Sequence, residues 1–143
     1  QRDVFSLSPE QDLDEAVREL LSRHLSGAPV VDTHGVLLGM LSEKDCIEFL
    51  ASAAFHTLPQ GTVDEVMHHA VLTVSPQADL FRLTYLFHEN PFRRLPVVDD
   101  DGRVLGMIAR RDLLGALDKI RHARDPCPET TYEAFARHRQ SAP

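Results

Sequence analysis

Two acidic residues with the same local context are the first candidates for chemistry. Asp45 stands three residues after Ser42, and Asp112 stands three residues after Ala109, each at the start of a predicted helix. A carboxylate can accept from a pair of hydroxyl groups, and a helix N-terminus presents backbone N–H groups to anions. Ser42 and Asp45 also fit a capping box, in which each side chain bonds to the other residue's backbone N–H group. The pattern leaves both a ligand contact and a structural role open.

A pair of arginines, Arg93 and Arg94, lies before the second of these acids. The guanidinium group is a planar fork of donors that matches phosphate oxygens. Arg111, at the start of the following helix, adds positive charge. The same arginines could instead be a solvated loop or form ion pairs with the acidic run at 99–101. These residues therefore predict either a small phosphate site or a set of surface charges.

Other chemistry-bearing patterns are missing from the sequence. It contains no GxxxxGK[ST] or GxGxxG phosphate loop, no GxSxG elbow and no HExxH pair. Cys46 and Cys127 are the only cysteines, too few for a disulfide framework or a cysteine zinc site. We therefore expect no enzymatic activity, no metal site and no required cofactor.

The composition narrows the classes of partner. The 143 residues are 43% apolar and 26% charged, as in a globular domain, and carry a net charge of −7. An acidic chain repels phosphate backbones and anionic lipid, so we expect no nucleic-acid or membrane partner. No apolar run approaches the ~20 residues of a membrane helix, and no signal peptide is visible. A reduced, cytoplasmic location is expected.

The elements that must position these residues occur twice. Residues 28–50 and 95–117 align without a gap, each position being 67 residues from its counterpart. The same offset pairs Ser8-Pro9 with Ser75-Pro76 upstream. Identity across so many elements indicates duplication of a whole folding unit. The paired identities in the two aligned segments are Pro29/Pro96, Val30/Val97, Val31/Val98, Asp32/Asp99, Gly35/Gly102, Leu38/Leu105, Gly39/Gly106, Met40/Met107, Asp45/Asp112 and Leu50/Leu117.

Each copy is predicted to have the order β-α-β-β-α. Helical spacing of apolar residues, turn residues between short β-branched runs, and Ser-Pro as helix N-cap and first turn are the signals. A short helical stretch at 63–67 follows the linker, and another helix is predicted at 129–137. The predicted bounds are 4–7, 10–24, 29–32, 36–41 and 43–55 in the first copy, and 71–74, 77–89, 96–99, 103–109 and 110–122 in the second.

The run hPVVDxxGxhhGMhxxxDhh, present twice, resembles the cystathionine-β-synthase (CBS) domain. The resemblance covers about residues 4–122. This part of the chain is similar to the tandem pair of CBS domains, or Bateman module, of stand-alone bacterial CBS-domain proteins. It implies an α+β fold in which two β-α-β-β-α repeats pack sheet to sheet as a pseudo-twofold pair. The expected bounds are 1–57 for repeat 1, 58–123 for repeat 2 with its connecting segment, and 124–143 for a C-terminal extension with an extra helix.

The resemblance also implies adenosine ligands, with AMP, ADP, ATP and S-adenosylmethionine as candidates, in clefts between the two repeats. The family's ribose signature, Gly-h-h-Ser/Thr-x-x-Asp, falls on Gly39, Ser42 and Asp45, and again on Asp112, where Ala109 departs from the pattern. An acid kept without its hydroxyl partner favours a ligand contact for Asp112. Since the arginines occur in one copy only, unequal clefts are expected. The other candidate ligand-binding residues are Arg93 and Arg94, which match phosphate-contacting positions of nucleotide-binding members, and Arg111, Lys44, Ser8, Ser75 and Phe92.

Two of these assignments have structural alternatives: helix N-capping for Ser8 and Ser75, and core or interface packing instead of adenine stacking for Phe92. The resemblance implies a non-catalytic regulatory module in which an adenine nucleotide changes the packing of a homodimer or of a regulated protein partner. The alternative is a dimerisation or protein-interaction scaffold without a small ligand.

Overall fold

The computed structural model describes residues 4–52 and 60–122. The chain divides into two compact units, which are described separately. Unit 1 runs to Val71 and includes Asp101–Val104; unit 2 comprises Leu72–Asp100 and the residues from Leu105 onward. The predicted C-terminal helix and the last predicted turn of the helix at 43–55 lie outside the described residues.

Unit 1 contains an antiparallel hairpin and three helices. Gly27 lies opposite Ser42 and Val31 opposite Leu37, with a bulge between Val30 and Val31. The segment Asp101–Val104 joins this unit because Val36 and Arg103 form an antiparallel bridge. The elements are α1 (Leu13–Ser22), β1 (Gly27–Val31), β2 (Leu37–Ser42), α2 (Glu43–Ala51) and α3 (Val63–Val66).

Unit 2 repeats the same order around its own core. Strand β3 pairs with β4 in a second two-stranded antiparallel sheet, and α4 contacts α5. The elements are α4 (Leu80–Glu89), β3 (Arg94–Val98), β4 (Val104–Ala109) and α5 (Arg110–His122). The buried residues of its main hydrophobic cluster are Val74, Leu83, Leu86, Phe87, Leu95, Val97, Ile108 and Leu113.

The first strand of each repeat is shorter than predicted. Leu7 forms a single parallel bridge with Val30, with N–H···O bonds of 2.9 Å from Leu7 to Pro29 and from Val31 to Leu7. The next bonds of such a ladder would need donors at Pro9 and Pro29, and proline has no N–H group. The equivalent prolines of the second repeat, Pro76 and Pro96, limit the bridge between Val74 and Val97 in unit 2.

The first helix of unit 1 begins later than predicted, at Leu13, so the N-cap role of Ser8 was wrong. Asp12 occupies the N-cap position. The preceding turn bonds to the α3 segment instead, since Asp64 N–H donates to Pro9 O and Val63 N–H to Gln11 O, both at 2.9 Å. These carbonyls would otherwise accept within the helix.

The equivalent helix of unit 2 begins at Leu80, and Ser75 is not its N-cap either. The Asp79 carboxylate caps the helix by accepting from Arg82 N–H at 2.8 Å. Ser75 Oγ accepts from Gln77 N–H at 3.1 Å, which stabilises the turn before the helix. The physical reason is that Ser-Pro starts a separate turn, closed by Ala78 N–H to Ser75 O at 3.0 Å.

Candidate functional site

The β2–α2 junction of unit 1 forms a complete capping box. Asp45 N–H donates to Ser42 Oγ at 3.1 Å, and Ser42 N–H donates to Asp45 Oδ2 at 2.8 Å. The Ser42 hydroxyl also donates to the same carboxylate oxygen at 2.8 Å. The structural role that the sequence left open for this pair is therefore confirmed.

A third residue, which the sequence analysis missed, completes this junction. His68 Nδ1 lies 2.8 Å from Asp45 Oδ2, with the two side chains 40% and 15% exposed. Because a carboxylate accepts and does not donate, this contact is a hydrogen bond in the tautomer that carries its proton on Nδ1. The two residues are 23 positions apart in the chain, and no local spacing rule connects them.

The backbone of β2 holds His68 in this position. Met40 and His68 exchange two N–H···O bonds of 3.0 Å as an antiparallel bridge. A Cβ at Gly39 would lie 2.5 Å from His68 O, closer than real contacts allow. The glycine of the signature therefore permits the close approach of the residue 68 backbone to the sheet.

The corresponding junction of unit 2 keeps half of the capping box. Ala109 N–H donates to Asp112 Oδ2 at 2.8 Å, the counterpart of the Ser42–Asp45 backbone bond. Asp112 is therefore not released from capping by the missing hydroxyl, which corrects the argument that favoured it for ligand contact. The reciprocal bond cannot form because Ala109 has no side-chain oxygen.

Two chain segments that carry four of the candidate residues are bonded to each other at one end of the unit 2 sheet. Arg110 N–H donates to Arg93 O at 3.1 Å, which places the start of β3 beside the start of α5. Arg94, Arg111 and Asp112 lie on these two elements within two residues of the bonded pair. The equivalent bond in unit 1 joins Glu43 N–H to Ser26 O at 2.9 Å.

The arginines of this end face solvent. Arg93, Arg94 and Arg111 are exposed, and within residues 4–52 and 60–122 no salt bridge engages them. In the acidic run at 99–101, Asp101 lies 3.7 Å from Arg103 instead. The adjoining Phe92 is 41% exposed, so one end of unit 2 carries accessible positive charge next to a carboxylate and an aromatic ring.

Ser8 and Ser75 lie elsewhere within their own units. Ser75 follows Val74, which bridges Val97 near the end of β3, whereas Arg94 begins that strand. At ~3.3 Å per residue, the two ends of β3 are about 13 Å apart. Ser8 is placed in the same way in unit 1, beyond the bridge of Leu7 with Val30. Each serine is therefore at the opposite end of the sheet from the acid of its own unit.

The remaining titratable groups near the unit 1 junction have structural surroundings. Lys44 is exposed on the first turn of α2. Burial, and then the charges of Asp45 and Glu43, raise the pKa of the Cys46 thiol, which packs against the unit 1 core. A raised pKa disfavours the reactive thiolate, so packing rather than reactivity describes Cys46.

In the part of the chain that the structure describes, no three His, Cys, Asp or Glu side chains are grouped so that they could hold a metal ion. Over the same residues, no helix combines the length and apolar character needed to cross a membrane.

Comparison with known proteins identifies relatives of both repeats. The CBS domain family model matches residues 1–52 and 63–119. The CBS domain-containing protein YhcV of Bacillus subtilis is 36% identical over 110 residues, which is 77% of this chain and 76% of that protein. An inosine-5'-monophosphate dehydrogenase of Nitrosopumilus maritimus is 28% identical over 85% of this chain. The chain spans only 24% of that enzyme's length.

A solved structure shows the same fold. The crystal structure of CBSX2 in complex with AMP superposes with a TM-score of 0.73 and 28% identity, covering 84% of this chain and 91% of that one. CBSX2 is an Arabidopsis thaliana CBS-pair protein. The predicted α+β class with two CBS repeats is confirmed. From its two repeats and their match to the family model, the chain belongs to the CBS domain family.

Proposed function

We propose that this chain is a non-catalytic regulatory module that binds an adenine nucleotide, with AMP as the first candidate. The observation that supports the proposal is the Arg110 N–H to Arg93 O bond, which brings together the chain segments that carry Arg93, Arg94, Arg111 and Asp112 at one end of the unit 2 sheet. The AMP complex of CBSX2, a structure with 28% identity to this chain, supports the choice of ligand.

The chemistry of this end of unit 2 suits a nucleoside monophosphate. Asp112 Oδ2 already accepts from Ala109 N–H, and Oδ1 would accept from a ribose hydroxyl as a charge-assisted bond. Arg93 and Arg94 would bind the phosphate oxygens, with Arg111 adding positive charge. Phe92, which is 41% exposed, would stack on the adenine ring.

Isothermal titration calorimetry with AMP and adenosine tests these roles. Asp112→Asn keeps an oxygen for the Ala109 N–H bond but loses the charge, so affinity for both ligands should fall by about tenfold or more. Arg94→Ala should weaken AMP alone and remove its advantage over adenosine. Asp118→Asn and Arg121→Ala, exposed positions further along α5, are matched controls and should bind as the parent protein does.

Thermal unfolding gives a second readout of the same proposal. A ligand that binds only the folded state stabilises it by about 2.7 kcal/mol at 100 times its dissociation constant. AMP should raise the unfolding temperature of the parent protein and leave that of Asp112→Asn nearly unchanged. The proposal is wrong if AMP, ADP, ATP and S-adenosylmethionine all fail to bind or shift unfolding.

The second candidate function, a dimerisation or protein-interaction scaffold, is favoured by exposed apolar side chains on α2 and α5. Ile47 and Leu50 are 63% and 49% exposed, and their repeat counterparts Leu114 and Leu117 are 65% and 39% exposed. Duplicated apolar positions suit a two-fold contact with a second copy of the chain. In the regulatory proposal, a nucleotide acts by having different affinities for two arrangements of this dimer or of a bound partner protein.

A further inference from the structure

The equivalent acids of the two repeats have different partners. Asp45 Oδ2 receives three donors, the Ser42 N–H, the Ser42 hydroxyl and His68 Nδ1, each at 2.8 Å. The Asp45 side chain is only 15% exposed. Asp112 accepts from Ala109 N–H, and the residue one repeat before His68 is Gln1, which lies outside the described residues. The acid of unit 1 is therefore covered by a side chain of its own chain.

His68 is held where its ring must meet Asp45. Its backbone is bonded to Met40 in both directions, and the preceding Met67 is 6% exposed in the unit 1 core. Nδ1 is a donor in the charged imidazole and in the neutral tautomer that Asp45 selects. The contact with the carboxylate therefore does not depend on the charge of the ring.

We propose that His68 acts as an internal donor that occupies Asp45 and limits this chain to one nucleotide site, at Asp112. The proposal rests on the proposed function, because it concerns which of the two repeats binds the nucleotide. His68 is thus a specificity-determining residue, because its ring lies against the Asp45 side chain, which is left 15% exposed. The donated bond to Oδ2 also makes the whole carboxylate a weaker acceptor for a ribose hydroxyl at Oδ1.

The uncovered Asp45 end would prefer a different ligand from the Asp112 end. Ser26 and Gly27 stand where unit 2 has Arg93 and Arg94, and Ser26 O accepts from Glu43 N–H as Arg93 O accepts from Arg110 N–H. Lys44 is the counterpart of Arg111, but it adjoins the Glu43 carboxylate, and the arginine fork of unit 2 has no counterpart here. A phosphate should therefore be bound less well at this end than at the Asp112 end. Removing the His68 ring should therefore create a site for adenosine rather than for AMP.

Three variants separate the imidazole donor from the rest of the segment. His68→Ala removes the donor. His68→Asn keeps an N–H donor close to the position of Nδ1 and preserves the contact with Asp45. His69→Ala changes the neighbouring, exposed histidine, which only approaches Asp64 at 3.8 Å. Calorimetry and native mass spectrometry with adenosine and with AMP report affinity and the number of ligands per chain.

The parent protein, His68→Asn and His69→Ala should each bind one AMP per chain. His68→Ala should gain a second site that binds adenosine at least about tenfold more tightly than this end of the parent protein does. The gain should disappear in His68→Ala/Asp45→Asn. Two AMP molecules per chain in the parent protein, or an unchanged single site in His68→Ala, would overturn the inference.

The outcomes distinguish this inference from the proposed function. Nitrogen-15 NMR of the imidazole ring reports the tautomer without any ligand, and a proton on Nε2 alone at neutral pH would overturn the inference whatever AMP does. If the parent protein binds none of AMP, ADP, ATP and S-adenosylmethionine but His68→Ala gains Asp45-dependent adenosine binding, the proposed function fails while the masking of Asp45 by His68 stands.

Discussion

At the residue scale, the N-capping bonds of the two acid-bearing junctions differ because Ala109 lacks the hydroxyl group of Ser42. Ser42 and Asp45 form both bonds of a capping box. In unit 2 the Asp112 carboxylate accepts from Ala109 N–H, but Ala109 has no side-chain oxygen to accept from Asp112 N–H. An N-cap side chain satisfies one of the unpaired N–H groups of the first helical turn. The start of α5 therefore lacks a bond that the start of α2 has.

Restoring that hydroxyl should stabilise the chain. Ala109→Ser should raise the free energy of unfolding, and Ser42→Ala should lower it, each by roughly 0.5–2 kcal/mol. Urea denaturation measures both changes in the free energy of unfolding. The dependence of this free energy on urea concentration should keep the same slope in both variants. A loss of stability in Ala109→Ser would show that the β4–α5 junction cannot accept the box.

Asp32 at the hairpin turn provides a pH-dependent prediction. Its Oδ1 accepts from His34 N–H at 2.8 Å and from Val36 N–H at 3.0 Å. The Val36 bond is the main cause that lowers the pKa of this carboxyl from its ordinary 3.8. Because the folded state favours the ionised form, the contribution of Asp32 to stability is fully present above pH 3.8 and is lost as the pH falls through the lowered pKa.

Asp32→Asn separates the charge from the hydrogen bonds. The amide oxygen can still accept from both N–H groups but cannot titrate. We expect the stability of Asp32→Asn to fall less steeply below pH 3.8 than that of the parent protein, in thermal unfolding measured as a function of pH. Carbon-13 NMR of the Asp32 carboxyl in the parent protein should give a pKa below its ordinary value; a raised pKa would contradict the turn geometry.

At the element scale, His68, which follows α3, adds a single bridge to the unit 1 sheet. His68 pairs with Met40 on β2, while β1 pairs along the same strand from Gly27 to Val31. His68 can lie beside β2 because Gly39 has no side chain that would clash with His68 O. The segment that carries His68 is therefore bonded to β2, the strand that ends at Ser42. The side chains of His68 and Ser42 both bond to the Asp45 carboxylate.

Gly39→Ala should disturb this attachment. The added Cβ would lie 2.5 Å from a backbone oxygen, and overpacking of this kind costs typically about 1–3 kcal/mol. Hydrogen exchange should show lost protection at the Met40 and His68 amides. Gly61→Ala is the matched control, since its nearest contact is the flexible end of Glu65 at 3.1 Å; equal losses in both variants would contradict the argument.

At the scale of the whole molecule, the repeat duplicates surface as well as fold. The exposed apolar positions of α2 recur on α5, whereas the exposed Leu21 of α1 corresponds to His88 of α4. A net charge of −7 opposes nonspecific association. A specific two-fold contact through the duplicated positions is what we expect to cover them.

Sedimentation velocity tests that contact. The parent chain should sediment as a dimer and Ile47→Ser/Leu114→Ser as a monomer, because serine removes apolar area on both repeats. Leu21→Ser, equally exposed at 66% but without an apolar counterpart, should remain dimeric. A monomeric parent chain, or a dimeric double variant, would exclude α2 and α5 as the contact.

The sequence by itself determined the duplicated unit, the order of its elements, its family and the two equivalent acids. Each of these depends on patterns within one repeat, such as apolar spacing, turn residues and Ser42-x-x-Asp45. The prolines that limit the first strand to one bridge were also visible, although their effect depends on which carbonyls they face.

Only the tertiary structure decided the surroundings of those acids. The late start of α1 follows from bonds between Pro9, Gln11 and the α3 segment, and the partner of Asp45 is His68, 23 residues away. Residues so far apart in the chain leave no periodic signal, because their contact is set by how the elements pack and not by local conformational preference. The separation of Ser8 and Ser75 from the acids of their own units has the same cause, since the parallel bridges place each serine at the far end of its sheet.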